Sequence, residues 1–246
     1  MYNHVYMIDD ILQYNREFVA AKGYEPFITD KYPSKKLAVL TCMDTRLTEL
    51  LPKALGLRNG DAKIIRNAGG LILSSTDSAI RSLLVGIYEL GVEEVMVVHH
   101  SNCGACHMSF EEFKPLMLGR GVSPETIKAF DEAGCDIEEW LEGFHDTKAS
   151  VRRTVAAITT HPLVPKDVTV RGFIIDSVTG GLTEVKQTEY GVSVPPNMYP
   201  CCQGRPARCF LLCLFGPLFR SLLITFSHIL PEAKSTLEAL NLNHFD

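Results

Sequence analysis

Three side chains with metal-binding chemistry stand at the ends of two apolar runs. Cys42 follows Leu37-Ala38-Val39-Leu40-Thr41, and His100 and Cys103 follow Val95-Met96-Val97-Val98-His99. Thiolate and imidazole are preferred zinc ligands, and two sulfurs plus one nitrogen leave the fourth tetrahedral position open. His100 and Cys103 are three residues apart, so one tight turn can aim both inward. His99 competes with His100, because adjacent side chains on a strand face opposite ways. Cys106 completes Cys103-Gly104-Ala105-Cys106. A zinc ribbon needs a second such pair, and a thioredoxin-like dithiol should open a helix after the first strand rather than the third. Cys106 therefore reads as a buried or supporting thiol. Asp44 and Arg46 lie two and four residues past Cys42. A carboxylate there could ligate the metal or accept a proton from its water, and arginine could hold it away by paired hydrogen bonds. The plainer reading is a surface ion pair worth ~0–1 kcal/mol. A position beside a thiol at a strand end favours the functional one.

These groups meet only if the two runs are neighbouring parallel strands, whose carboxyl ends are where open α/β sheets place ligands. The surrounding pattern supplies such strands. Asp10 to Lys22 reads as an amphipathic helix ended by Gly23, and own-domain packing is the simpler expectation for it. A strand follows over Lys36–Thr41, then a helix over Leu47–Leu55, where Pro52 demands an early or kinked start. Asn59-Gly60-Asp61 marks a turn. Lys63–Arg66 reads as a short strand with Ile64 and Ile65 as its core. Asn67-Ala68-Gly69-Gly70 is a loop that permits close backbone approach. Thr76-Asp77-Ser78 caps a helix carrying Ile80, Leu83, Leu84, Ile87 and Tyr88 at helical spacing, closed by Gly91. The third strand spans Glu94–Val98. This β-α-β-α-β order predicts a parallel sheet with right-handed crossovers.

Met108 to Ser150 reads as mostly helical, with starts at Ser123-Pro124-Glu125, Asp136 and Asp146. Thr147–Thr160 forms another helix, with Val151, Val155 and Ile158 inward. Val168–Ile175 is a fourth strand, Val178-Thr179-Gly180-Gly181 a hairpin turn and Leu182–Lys186 an antiparallel edge strand. The expected fold is α/β: about four parallel strands plus one antiparallel edge strand, flanked by helices. A helical arm over about residues 8–23 precedes it, and the domain closes near residue 187.

The chain has 246 residues and a net charge of −5, and no basic run suggests a nucleic-acid track. There are eight cysteines. Met1-Tyr2-Asn3-His4 lacks the basic and apolar regions of a secretory signal. A reducing, cytoplasmic compartment with thiols available for metal is expected. Residues 188–246 change character, with Cys201, Cys202, Cys209 and Cys213 crowding together. Cys209 to Leu230 is apolar over about the length of a bilayer span. Gly216-Pro217 and Arg220 weaken that reading, since a central Arg costs ~2.5–3.5 kcal/mol on insertion. A tail packed on its own chain or on a partner chain is favoured over membrane contact through 209–230. An aberrant or alternatively spliced end is the remaining option.

Cys42-Met43-Asp44-Thr45-Arg46, Arg66-Asn67-Ala68-Gly69 and His100-Ser101-Asn102-Cys103-Gly104 together resemble the three signatures of the β-class carbonic anhydrases. Order and spacing agree over residues 30–187. The compact length resembles the small prokaryotic-type branch, which also includes carbonyl sulfide and carbon disulfide hydrolases. His99 stands where many members have Gly, and the tail has no counterpart in the pattern. The resemblance implies a Zn2+ cofactor held by Cys42, His100 and Cys103. It implies Asp44 and Arg46 as catalytic residues, with Asp44 a conditional fourth ligand in a closed form and Arg46 holding it off. It also implies reversible hydration of CO2 to bicarbonate, in a homodimer or higher homo-oligomer. The N-terminal helix would embrace the partner, which replaces the own-domain expectation. Hydrolysis of carbonyl sulfide or carbon disulfide at the same site is the alternative; a non-catalytic zinc or bicarbonate sensor is another. His99 and His107 are candidate proton relays, against the commoner structural role of a histidine.

Overall fold

In the computed structural model, which describes residues 7–133 and 136–187, a single five-stranded sheet carries the site. Its strands are β1 (Leu37–Cys42), β2 (Ala62–Asn67), β3 (Glu94–His100), β4 (Thr169–Ile175) and β5 (Leu182–Val185), in the spatial order β2-β1-β3-β4-β5. The first four are parallel to their neighbours, and β5 pairs antiparallel with β4. All six residues of β1 are buried, as a central parallel strand covered on both faces requires. β3 runs on through both histidines to His100, two residues past the apolar run that marks it in the sequence.

Among the described residues there are seven α-helices: α1 (Met7–Ala20), α2 (Leu47–Ala54), α3 (Ser78–Leu90), α4 (Phe110–Gly119), α5 (Pro124–Glu132), α6 (Ile137–Leu141) and α7 (Thr147–Thr159). α2 begins directly after Arg46, early enough that Pro52 falls in its last turn. Its Leu47 and Leu51 face the core one turn apart. α3 starts where Asp77 accepts hydrogen bonds from the Ala79 and Ile80 amides, both 2.9 Å, and stops at left-handed Gly91. Tyr88 departs from its expected inward stripe; its ring is exposed and its hydroxyl donates to the Leu163 carbonyl. α7 buries Val151, Val155 and Ile158 against the sheet. Gly172 in β4 makes room for it, since a Cβ there would lie 2.4 Å from Val151.

Two expectations need correction. Ile64 is exposed and Ile65 only half-buried, so they do not form a core in β2. β2 is an edge strand, and consecutive side chains alternate faces, so one of the two must point away from whichever face is covered. The first reading of α1, packing on its own domain, also fails. None of its residues is buried, and Met7, Ile8, Ile11, Leu12, Tyr14 and Val19 all face outward from this chain. Among the described residues no helix is long and apolar enough to cross a membrane. The tail of residues 188–246, including 209–230, lies outside the described residues.

Candidate metal centre

Cys42 is the last residue of β1 and His100 the last of β3, and these strands are parallel neighbours paired from Leu37–Glu94 to Thr41–Val98. The Thr41 hydroxyl donates to the Val98 carbonyl at 2.8 Å, a further tie just before the two chemical groups. The chain then turns sharply, with Asn102 in the left-handed region (φ 52°), and brings Cys103 back over the strand ends. The two sulfurs come within 3.8 Å. The ligand atoms of Cys42, His100 and Cys103 all lie within 4.8 Å of one another, and all three residues are buried. Gly70 completes the wall. A Cβ there would stand 3.0 Å from the Thr41 carbonyl carbon, and its φ of 70° disfavours any other residue.

The two adjacent histidines divide as a strand demands. His99 points to the opposite face, wholly buried, with Nε2 3.1 Å from the Gly70 carbonyl and its ring against Phe144. Burial pushes its pKa down to about 4, so it is neutral and donates from Nε2. His100 places Nδ1 2.9 Å from the Ser101 carbonyl, which sets the proton on Nδ1 and leaves the Nε2 lone pair free. That Nε2 is buried without a hydrogen-bond partner, 3.8 Å from a carboxylate oxygen of Asp44. Burial opposes a charged ring here, yet the Cys42 sulfur, the Ser101 carbonyl and Asp44 outweigh it and raise the His100 pKa.

The two thiols are tightly linked. A hydrogen bond from Cys103 lowers the Cys42 pKa to about 4, and the same contact pushes Cys103 well above the thiol range. Two sulfurs this close share one proton unless a cation lies with them. Two sulfurs and the unpartnered Nε2 of His100 form a three-donor set that fits zinc or a similar divalent ion.

Asp44 is held from the side. Arg46 donates Nε to Oδ1 at 2.9 Å and Nη2 to Oδ2 at 2.7 Å, and its backbone N–H adds a third bond to Oδ1 at 2.9 Å. This guanidinium clamp lowers the Asp44 pKa to about 2. The plain surface pair does not describe this arrangement: the Asp44 side chain is only 17% exposed, and Arg46 Nη2 also donates to the Asn102 carbonyl. Arg46 Nη1 reaches the Ser177 hydroxyl, and Ser177 in turn is joined to Ser101 through its hydroxyl and backbone N–H. Ser177 and Ser101 were not singled out in the sequence. Ser177 sits two residues past β4, the next parallel strand, so the rule that drew attention to Cys42 and His100 could have found it. Of the Arg66-Asn67-Ala68-Gly69 stretch, Asn67 staples its loop by bonding both polar groups of Leu71. Arg66 meets Thr48 through Nη1. Cys106 is half-buried and outside the cluster, and His107 lies at the surface.

Comparison with known proteins agrees with this geometry. The carbonic anhydrase family model matches residues 37–182, which hold every group above. The carbonic-anhydrase-like protein YvdA of Bacillus subtilis is 46% identical over 183 residues, covering 74% of this chain and 93% of its own. A carbon disulfide hydrolase of Acidithiobacillus thiooxidans is 34% identical over 158 residues, covering 61% of this chain and 76% of its own. The crystal structure of β-carbonic anhydrase isoform I of Trichomonas vaginalis superimposes with a TM-score of 0.66 at 34% identity, covering 72% of this chain and 96% of that one. With a mostly parallel sheet that delivers two cysteines and a histidine to one point, and with these relatives, the chain belongs to the β-carbonic anhydrase family.

Proposed function

We propose that this protein is a zinc-dependent carbonic anhydrase that reversibly hydrates CO2 to bicarbonate and a proton. Cys42, His100 and Cys103 would hold the ion, with the domain spanning residues 1–187 and the tail of 188–246 appended to it. A zinc bound there would lower the pKa of water from 15.7 to about 7 and so provide hydroxide near neutral pH. The observation that carries the reading is the clamp on Asp44. Arg46 occupies both carboxylate oxygens from one side and draws them toward itself, which favours an open position beside the three ligands. Asp44 stays ionised, and each of its oxygens keeps acceptor capacity beyond the arginine. It can therefore take a hydrogen bond from the nucleophile and set its orientation. Ser101 and Ser177 support the clamp by fixing Arg46 between two strand ends. Buried free thiols suit a reducing, cytoplasmic setting. The bare apolar face of α1 suits a homodimer or larger homo-oligomer, in which the helix lies on a second copy.

Carbon disulfide or carbonyl sulfide hydrolysis is the second reading, favoured by the Acidithiobacillus thiooxidans relative. Both readings need the same ligands, so they are separated by substrate. Zinc-loaded protein should hydrate CO2 in stopped-flow assays across pH and release little hydrogen sulfide from either sulfur compound. Hydrogen sulfide release without CO2 hydration would reverse the assignment. No turnover of any of the three by protein with one zinc per chain would leave a non-catalytic zinc protein.

A further inference from the structure

His107 and His145 come from separate segments and converge at the surface. Their Nδ1 atoms stand 3.3 Å apart, with ring centroids at 5.5 Å and planes tilted by 37°. Behind them, a Glu142 carboxylate oxygen lies 3.6 Å from Nε2, the other nitrogen of His145. We propose that this pair is a second, solvent-facing site for a borderline divalent metal such as Zn2+, Cu2+ or Ni2+. Both Nδ1 atoms bind the ion, Glu142 stands behind His145, and water completes the coordination.

The 3.3 Å spacing, which a single N–H···N hydrogen bond also spans, accommodates a shared ion. Two nitrogens at about 2.0–2.1 Å from one tetrahedral ion lie roughly 3.3–3.4 Å apart. At 3.6 Å the Glu142 carboxylate is beyond direct hydrogen-bond reach and faces Nε2 of His145 as a nearby negative charge. Metal-bound histidines commonly direct their other ring nitrogen toward a carboxylate, which fixes the tautomer and frees the ligating lone pair. Nitrogen donors backed by an acid select the zinc–copper–nickel group rather than magnesium or calcium.

The site is also built rather than casual. The His107 N–H donates to the Phe144 carbonyl at 2.9 Å, Phe144 N–H to Ala105 at 3.1 Å, and Gly143 N–H to Met108 at 2.8 Å. This short ladder ties the two segments together. Gly143 is required for it, because a Cβ there would meet the Ala105 carbonyl oxygen at 2.0 Å. His107 itself is held in the left-handed region (φ 68°), unusual for a residue other than glycine. The backbones are held in place, while the His145 side chain is 72% exposed and has room to turn toward an ion. An ion here would pin the turn that carries Cys103 to the 142–145 segment, since Cys106 N–H donates to the Cys103 carbonyl within the same turn. None of the proposed ligands of the Cys42 cluster takes part.

The test uses full-length protein already holding one zinc per chain. Calorimetric titration with Zn2+ should show a further equivalent in the wild type. H107N and H145N should each weaken that equivalent at least tenfold, and E142Q several-fold. Asn tolerates positive φ, so H107N keeps the backbone comfortable, and H145N is an independent variant should H107N fold poorly. Cu2+ added below one equivalent should show two imidazole nitrogens by electron paramagnetic resonance, falling to one in either histidine variant. Thiols outside the zinc-bound pair are alkylated before copper is added, because free thiol would reduce Cu2+ to Cu+, which gives no resonance. Unchanged affinity in both histidine variants, or an unchanged nitrogen count, would overturn the proposal.

Discussion

β1 and β2 are adjacent parallel strands of six residues each, yet they live in opposite surroundings. Every residue of β1 is buried, whereas β2 has one exposed residue, five half-buried ones and none fully buried. β1 sits between two strands and ends in Cys42; β2 sits at the edge. A strand held on both sides cannot drift, so the thiol at its end is placed as firmly as the sheet itself. An edge strand has unsatisfied positions along one side and invites a neighbour. With α1 bare as well, this chain combines a rigid chemical centre with an apolar periphery left open.

Breaking the buried end should have the largest effect. Cys42→Ser should abolish zinc retention by elemental analysis and drop CO2 hydration to the uncatalysed background, with the far-ultraviolet circular dichroism little changed. A variant that keeps both zinc and turnover would remove Cys42 from the site. Next comes the strand itself. Leu40→Ala in β1 should cost about 2–5 kcal/mol in urea unfolding. Ile64→Ala in β2 should stay within about 0.5 kcal/mol if its face meets only water. A cost approaching that of Leu40→Ala would mean that another chain covers β2.

The periphery can be probed directly. Charges at Ile11→Glu and Leu12→Glu should leave the monomer's unfolding transition almost unmoved but shift the protein to monomer in light scattering. An unshifted mass would put α1 outside any interface. The smallest expected effect is electrostatic. The Asp44 pKa is lowered in the folded chain to about 2 by Arg46. Its contribution to stability is therefore present above the unfolded value of about 3.9 and is lost as pH falls toward 2. In metal-free protein, Asp44→Asn should thus be less stable than the wild type above about pH 4, the gap closing toward pH 2. A gap that does not change with pH would mean that the clamp is not ionic.

Much of this was legible in the chain. Leu37 to Thr41 and Val95 to Val98 are near-continuous apolar runs, the pattern of a strand buried on both faces. The Cys42, Asp44, Arg46, His100 and Cys103 spacing marked the chemistry. Less was legible where contact depends on distant partners. Ser177 is 131 residues from Arg46, and a lone serine after a strand gives no pattern to read. Ile64 looked like core because local hydrophobicity says nothing about a strand's place in the sheet. β3 extends two residues beyond its apolar run, through two histidines that do not resemble it.

Residue types and order alone determined which donor groups the chain can offer a metal and the succession of strands and helices, because side-chain donors and hydrophobic period are local properties. Alternation along a strand also guaranteed that His99 and His100 would part company. Only the folded chain decided that Ser177 would reach Arg46, that β2 would lie at the sheet edge, and that α1 would stay bare. Each of those outcomes depends on pairing and packing between segments far apart in the chain, and no local pattern encodes them.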